Sequence, residues 1–183
     1  IDPNGGDYDG HTKPFSNTYR MNEVADLLKP TKTGCNFAHW ILKDNSEENP
    51  DPDTDYDQDS IKMIKNYTLI AQYDDQEFDV KINPNGGKFN GSTEVFTDRV
   101  KYGTTINLTN TEYAEHEIRD WTKQTTSGTE TLASDISEIT ITEDTELTIN
   151  WWSSIFYTIT INPNEGSYHD SSEVQDFSAR KGE

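Results

Sequence analysis

The densest run of side chains able to bind or react is Asn49-Pro50-Asp51-Pro52-Asp53-Thr54-Asp55-Tyr56-Asp57-Gln58-Asp59. Oxygens at alternate positions are what a loop wrapping Ca²⁺ supplies, because that hard cation takes about six to eight oxygen ligands. The pattern is incomplete. An EF-hand register starting at Asp51 puts Tyr56 where the sharp turn needs Gly and Lys62 where the bidentate Glu belongs. The expectation over Asp51 to Asp59 is therefore a solvated acidic loop, with calcium as the minority reading. His11, His39, His116 and His169 include no i, i+4 pair, and Cys35 is the only cysteine, so neither a cysteine-based zinc cluster nor an intrachain disulfide can form. No Gly-x-Ser-x-Gly elbow is present, and paired carboxylates are abundant through composition alone. A Lys to Asn/Asp isopeptide link needs a buried Lys beside an acid, and no Lys keeps apolar surroundings in both halves of the chain. The expectation is no enzyme: no catalytic, cofactor-binding or metal residue is assigned, and no cofactor.

Trp40, Trp121, Trp151 and Trp152 could stack on sugars. A large ring is also the efficient filler for a small core, since each aromatic buries about 150–250 Å². Trp40 and Trp121 are expected in cores. Trp152 points away from Trp151 if the two share a strand, and is the best single candidate for a contact surface.

Composition narrows the partners. Among 183 residues, 15 Lys and Arg face 34 Asp and Glu, a net charge of −19. Binding to phosphate backbones comes largely from Lys and Arg, so a nucleic-acid partner is excluded, and docking on an anionic membrane is disfavoured for the same reason. No apolar run approaches the ~20 residues that cross a bilayer as a helix. Hydrophobic residues make up 31%, thin filling for one large core, which favours several small units. The chain starts at Ile1 within an expected strand and reads as a piece of something longer.

The elements that would carry these residues recur. Ile1-Asp2-Pro3-Asn4-Gly5-Gly6 returns as Ile82-Asn83-Pro84-Asn85-Gly86-Gly87 and as Ile161-Asn162-Pro163-Asn164-Glu165-Gly166, at offsets of 81 and 79. Tyr8, Phe89 and Tyr168 keep those offsets, as do Asn22, Gly103 and Gly182, and Trp40 and Trp121. Tyr67 to Tyr73 answers to Thr145 to Trp151 at an offset of 78. The organisation expected is repeat 1 over residues 1–75, with its first strand truncated, repeat 2 over 76–153, and the opening hairpin of a third over 154–183. Phe78, Val80 and Ile82 alternate with polar residues, as a half-buried strand does. Asn-Gly then supplies the positive φ of a tight turn. Glu165 replaces a Gly there, at a cost of roughly 1 kcal/mol if the backbone is kept. Return strands are expected at Phe15 to Met21 and Phe96 to Val100. Val24, Leu27 and Leu28 have helical spacing, with Asn22 as cap and Pro30 as stop, which predicts a short helix over 22–29. Its counterpart Thr104 to Thr111 is β-branched and reads as a turn or irregular segment. A second hairpin is expected from Ser137–Thr142 and Glu146–Trp151. Together these predict an α+β, β-rich fold of tandem small domains, each hairpin, short helix and hairpin, joined by short linkers in an elongated array.

Several motifs in register carry a family resemblance: Phe-Asp-Val-Lys-Ile-Asn-Pro-Asn-Gly-Gly at 78–87, Val-Lys-Tyr-Gly-Thr-Thr at 100–105, Trp121, Ile-Thr-Glu-Asp-Thr-Glu-Leu-Thr-Ile-Asn-Trp at 141–151, and Leu-Leu-Lys-Pro-Thr-Lys-Thr-Gly-Cys-Asn-Phe-Ala-His-Trp at 27–40. They resemble the Listeria and Bacteroides type repeat, related to the internalin B-repeat. The chain departs from that pattern at His116 to Asp120, and at Tyr73, which stands where the final Trp belongs. The resemblance implies a β-grasp-like module of bacterial surface or secreted proteins, without catalysis. The function expected is a structural stalk repeat supporting adhesion, located outside the cell, with signal and anchor beyond this sequence. The alternative is recognition of a host protein or glycan through exposed aromatics or an acidic face. Self-association through the truncated strand edges is a third expectation.

Overall fold

The computed structural model describes residues 1–46 and 51–181. The chain divides into two compact units, Ile1–Glu77 with Lys101–Gly103, and Phe78–Val100 with Thr104–Glu183.

In unit 1 the strands are β1 (Val24–Asp26), β2 (Cys35–Asp44), β3 (Thr54–Tyr56), β4 (Ser60–Lys62) and β5 (Tyr67–Asp75). β2 is central in an antiparallel sheet of order β3-β2-β5, and β1 pairs with β4. In unit 2 they are β6 (Glu77–Asn83), β7 (Lys88–Phe89), β8 (Phe96–Lys101), β9 (Thr105–Asn107), β10 (Thr111–Glu112), β11 (His116–Thr125), β12 (Gly128–Leu132), β13 (Glu138–Thr140), β14 (Thr145–Ser153), β15 (Phe156–Ile161) and β16 (Gln175–Arg180). Five strands form one sheet of order β12-β11-β14-β6-β8, with β14 and β6 parallel, while β7–β10, β9–β13 and β15–β16 form small ladders.

The repeat survives in the hydrogen bonding. Val24↔Lys62 and Asp26↔Ser60 recur as Thr105↔Thr140 and Asn107↔Glu138. The bulge between Phe37 and His39 recurs between Ile118 and Asp120. Gly6 N donates to Pro3 O, Gly87 N to Pro84 O and Gly166 N to Pro163 O, at 2.9, 3.0 and 3.0 Å. The third turn keeps this bond with Glu165 at φ 71°.

The α+β expectation is corrected: among the described residues there is no helix, so the β-grasp-like arrangement of a sheet crossed by a helix is corrected too. Over residues 22–29 the buried apolar side chains are Ala25 and Leu27, while Val24 and Leu28 lie in solvent, a period of two. An isolated helix of that length lacks enough hydrogen bonds to offset nucleation, whereas β4 offers a ready ladder. Asn22 adopts φ 65° as a turn residue, not a cap. The second expected hairpin is corrected as well. Glu138–Thr140 pairs with β9, and β14 lies between β11 and β6; the hairpin is β11–β12. The expected return strand at Phe15 to Met21 is absent: Phe15 exchanges two bonds with Ile1 at 2.9 and 3.0 Å and the ladder stops there, whereas β8 lies alongside the full-length β6.

Each unit has its own core. One gathers Tyr8, Ala25, Leu27, Trp40, Ile61, Leu69 and Ala71. The other gathers Val80, Ile82, Phe89, Leu108, Trp121, Ile139, Ile141, Leu147 and Ile149. Burying a tryptophan of this kind contributes about 4–6 kcal/mol at ~25 cal/mol per Å².

Candidate functional site

The acid run is a set of ion pairs on one face of unit 1. β3 places Thr54 opposite Leu42 and Tyr56 opposite Trp40, so Tyr56 turns to the core, where its hydroxyl donates to Ser60 O. The alternate residues turn the other way and meet basic side chains from β2 and the β4–β5 turn: Asp53 Oδ2 lies 3.2 Å from Lys43 Nζ, Asp55 Oδ1 3.3 Å from His39 Nε2, and Asp51 Oδ2 2.5 Å from Lys65 Nζ. Of the alternating acids, Asp55 lies within β3, and Asp51, Asp53 and Asp55 form the charge zipper, while Asp57 accepts from Gln58 Nε2 at 2.6 Å. Among the described residues no group of three or more His, Cys, Asp or Glu could hold a metal ion. Asn49 and Pro50 lie outside the described residues.

Asp44 anchors this zipper. Its side chain is 3% exposed and accepts from Lys65 Nζ at 2.7 Å, Ser46 Oγ at 2.6 Å, and the backbone N–H groups of Ser46 and Asp51, each at 2.9 Å. The Lys65 ammonium, then the Ser46 and Asp51 donors, hold the Asp44 carboxyl well below the usual carboxylate range. Asp44 and Asp51 in turn hold the Lys65 ammonium above the ordinary lysine value. Amide formation between this Lys and Asp would need a neutral amine and a neutral acid, and the hydrogen bonding favours the opposite state of both.

The histidines are engaged in local contacts. His11 stacks on Phe15 at 4.1 Å, His116 on Tyr113 at 3.9 Å, and His169 meets Tyr168 edge-on at 4.4 Å. Trp40 and Trp121 are 2% and 0% exposed, as expected of core residues. Trp151 is a buttress: its Nε1 donates to Pro84 O at 2.8 Å, and a Cβ on Gly87 would strike its ring at 2.5 Å. Tyr73 does the same in unit 1, its hydroxyl donating to Pro3 O at 2.8 Å over Gly6. The departure from Trp to Tyr at position 73 keeps the bond by exchanging one ring donor for another.

Trp152 is the one tryptophan on the outer face. Arg119, carried on the β11 bulge, lies 5.5 Å from its ring centroid, and Arg180 on β16 lies 5.1 Å away. Arg180 also donates to Ser153 O at 3.0 Å and sits 4.9 Å from the Phe156 ring. Nearby, burial opposes ionisation of Asp120, but bonds from Asn150 Nδ2 at 2.6 Å and Arg119 Nε at 2.7 Å outweigh it and keep that carboxyl below the ordinary range. Sequence reading singled out Trp152 but missed both arginines. The bulge that aims Arg119 has no local signature, and Arg180 reaches it from another hairpin.

A concavity of unit 1, about 510 Å³, is walled by Phe15, Tyr19, Ala25, Leu27, Met63 and Leu69, among others. It gathers no pair of side chains suited to acid–base or nucleophilic work.

Against known proteins, residues 2–72 match the family model described as the Listeria-Bacteroides repeat domain. No curated protein and no solved structure matches the chain.

Proposed function

Since the chain carries a Listeria-Bacteroides repeat domain over residues 2–72, we propose that it is a non-catalytic structural repeat segment of a bacterial surface or secreted protein, supporting adhesion by holding other parts away from the cell. In this reading residues 76–153 are a second instance of the domain, following a first that ends at 75, and 154–183 open a third. The observation that carries it is the kind of residue the copies share. Trp40 and Trp121, the Pro3 and Pro84 turns with their Tyr73 and Trp151 buttresses, and the paired bulges all serve folding. The polar surroundings differ: where one copy has the Lys65–Asp44 ion pair, the other has Glu143 accepting from Thr126 and Ser127. A catalytic or specific binding role repeated in tandem would preserve the opposite set. The net charge of −19 favours solubility and mutual repulsion of neighbouring modules.

The test inserts the chain between a known binding head and a wall anchor on a bacterial surface. Spacer function predicts that the head regains access to immobilised ligand, that an unrelated repeat of equal length does the same, and that the isolated chain captures nothing from glycan or host-protein arrays. Array binding abolished by substitution of exposed aromatics would reverse the assignment toward recognition. The observation favouring that second reading is the aromatic face of β15–β16, where Tyr157, Ile159 and Phe177 are exposed together.

A further inference from the structure

We propose that Asn90 is a site of spontaneous chemical modification, deamidation through a succinimide closed by the Gly91 backbone nitrogen, and that the fold steers the reaction to this pair. The sequence holds three Asn-Gly pairs, Asn4-Gly5, Asn85-Gly86 and Asn90-Gly91, which are chemically alike in an unfolded chain.

Ring closure needs a side-chain amide free to swing over the main chain and a following N–H without an acceptor. At Asn4 and Asn85 the amide is tethered. Asn4 Nδ2 donates to Ala71 O at 2.9 Å and Asn85 Nδ2 to Ile149 O at 3.0 Å, both partly buried. At Asn90, an exposed turn residue, Nδ2 has no partner among the described residues, while Oδ1 accepts from Asn110 Nδ2 at 3.1 Å. That bond draws electron density from the carbonyl to be attacked. The nucleophile is also free. In the equivalent turn of the first copy, Gly10 N donates to Asp7 Oδ1 at 2.8 Å. Position 88 holds Lys where the first copy has Asp7, its Nζ turned to Glu112 at 2.9 Å, and Gly91 N has no acceptor among the described residues. A Cβ on Gly91 would meet nothing within 4 Å, so the space beside the Gly91 nitrogen is open for the Asn90 side chain to enter while Phe89 and Ser92 close the turn at 2.9 and 3.0 Å.

In the reaction the Gly91 nitrogen bonds to Asn90 Cγ, the Cγ–Nδ2 bond breaks, and the amide nitrogen leaves as ammonia with the proton from Gly91. Water then adds to either succinimide carbonyl, giving Asp or isoaspartate at position 90. The Asp product has a precedent in the molecule: Asp9-Gly10 holds the equivalent turn with φ 51° and 82°, against 51° and 79° at Asn90-Gly91. The isoaspartate product inserts a methylene into the main chain beside Phe89 and disturbs the Asn90 N to Asn110 O bond of 2.8 Å.

The full chain is incubated in mildly alkaline buffer, and peptides are followed by mass and by the chromatographic separation of isoaspartate. Asn90 is expected to react severalfold faster than Asn4 or Asn85, because its side-chain bond to Asn110 is exposed and engages Oδ1, whereas theirs are partly buried and hold the leaving Nδ2 itself. In denaturant the three rates converge. Lys88→Asp, which restores the acceptor seen at Asp7, slows Asn90 severalfold even though it sets a carboxylate opposite Glu112 and lowers the melting temperature slightly. Equal rates in the folded chain, selectivity persisting in denaturant, or an unchanged Asn90 rate in Lys88→Asp would each overturn the proposal.

Discussion

The two cores occupy the same framework with different fillings. Where unit 2 has Ile106, Ile149 and Trp151, unit 1 has Ala25, Ala71 and Tyr73. An Ile in place of Ala adds about 2 kcal/mol of burial per site at ~0.8 kcal/mol per methylene. Both units carry an arm beside the central strand: β12 in unit 2, with Leu132 opposite Trp121 and one Lys123–Glu130 pair, and β3 in unit 1, with Tyr56 facing the core and acids meeting Lys43 and Lys65, the latter also bound to Asp44. A fold repeated in tandem therefore tolerates a leaner interior when polar ties are added at its edge. The expected consequence is that unit 1 melts before unit 2.

The strongest way to break that ordering is Trp121→Ala. The ring is fully buried, and its removal is expected to cost about 3–5 kcal/mol, enough to carry unit 2 below unit 1 in a denaturant titration. Trp40→Ala should lower the weaker unit by a similar amount and leave the unit 2 transition in place. The same midpoint shift in both transitions from either substitution would show that the cores are not separate.

The glycine behind each buttress comes next. In Gly87→Ala the new methyl meets the Trp151 ring at 2.5 Å and Glu112 O at 2.9 Å, and overpacking of this sort costs about 1–3 kcal/mol. Gly166→Ala meets only Pro163 O at 3.1 Å, because no ring lies over the third turn. Its cost should be distinctly smaller when the two variants are compared by thermal melting.

Tyr73→Phe sharpens the comparison at one atom. It removes the hydroxyl that donates to Pro3 O at 2.8 Å and leaves the ring, so the loss expected is about 1 kcal/mol, confined to the unit 1 transition. A silent substitution would mean that packing over Gly6 suffices and that Trp and Tyr are interchangeable there for shape alone.

How much of this the sequence disclosed depends on the range of the interaction. The Asn-Gly turns, the strand alternation at Phe78 to Ile82 and the core role of Trp40 and Trp121 are written locally or in the repeat spacing, and they were legible. The segment 22–29 was misread because eight residues satisfy both a helical and a strand pattern, and β4, which decides between them, lies more than thirty residues away in sequence. The same holds for Glu138–Thr140, whose partner is β9 and not the adjacent strand. The charge zipper was visible as alternate acids, but its meaning came from Lys43 and Lys65, which pairing brings opposite them. The Arg119 and Arg180 contacts with Trp152 needed both a bulge and a second hairpin.

The finest separation of the two units is by pH. At the end of β2, Asp44 is the acceptor and Lys65 the donor. At the matching end of β11 the polarity is reversed: Glu143 accepts from Thr126 Oγ1 at 2.5 Å, and from the Ser127 hydroxyl and N–H at 2.9 and 3.2 Å, which holds its carboxyl below the ordinary range. Both carboxylates are depressed in the folded state, so the stability they supply is present above the ordinary carboxylate value and is lost as pH falls through their folded values. Acid therefore weakens both units. Lys65 is raised in the folded state, so its share is present below the ordinary lysine value and is lost only as pH climbs through the folded one; unit 2 has no lysine in that tie. Strong alkali should thus move the unit 1 transition by an amount that Lys65→Met abolishes, leaving the unit 2 transition without a Lys65-dependent component. Added salt should shrink the effect, since the Lys65 side chain is 30% exposed. An alkaline shift of the unit 1 transition that survives in Lys65→Met would assign it to other groups and remove Lys65–Asp44 as the tie that distinguishes the leaner core.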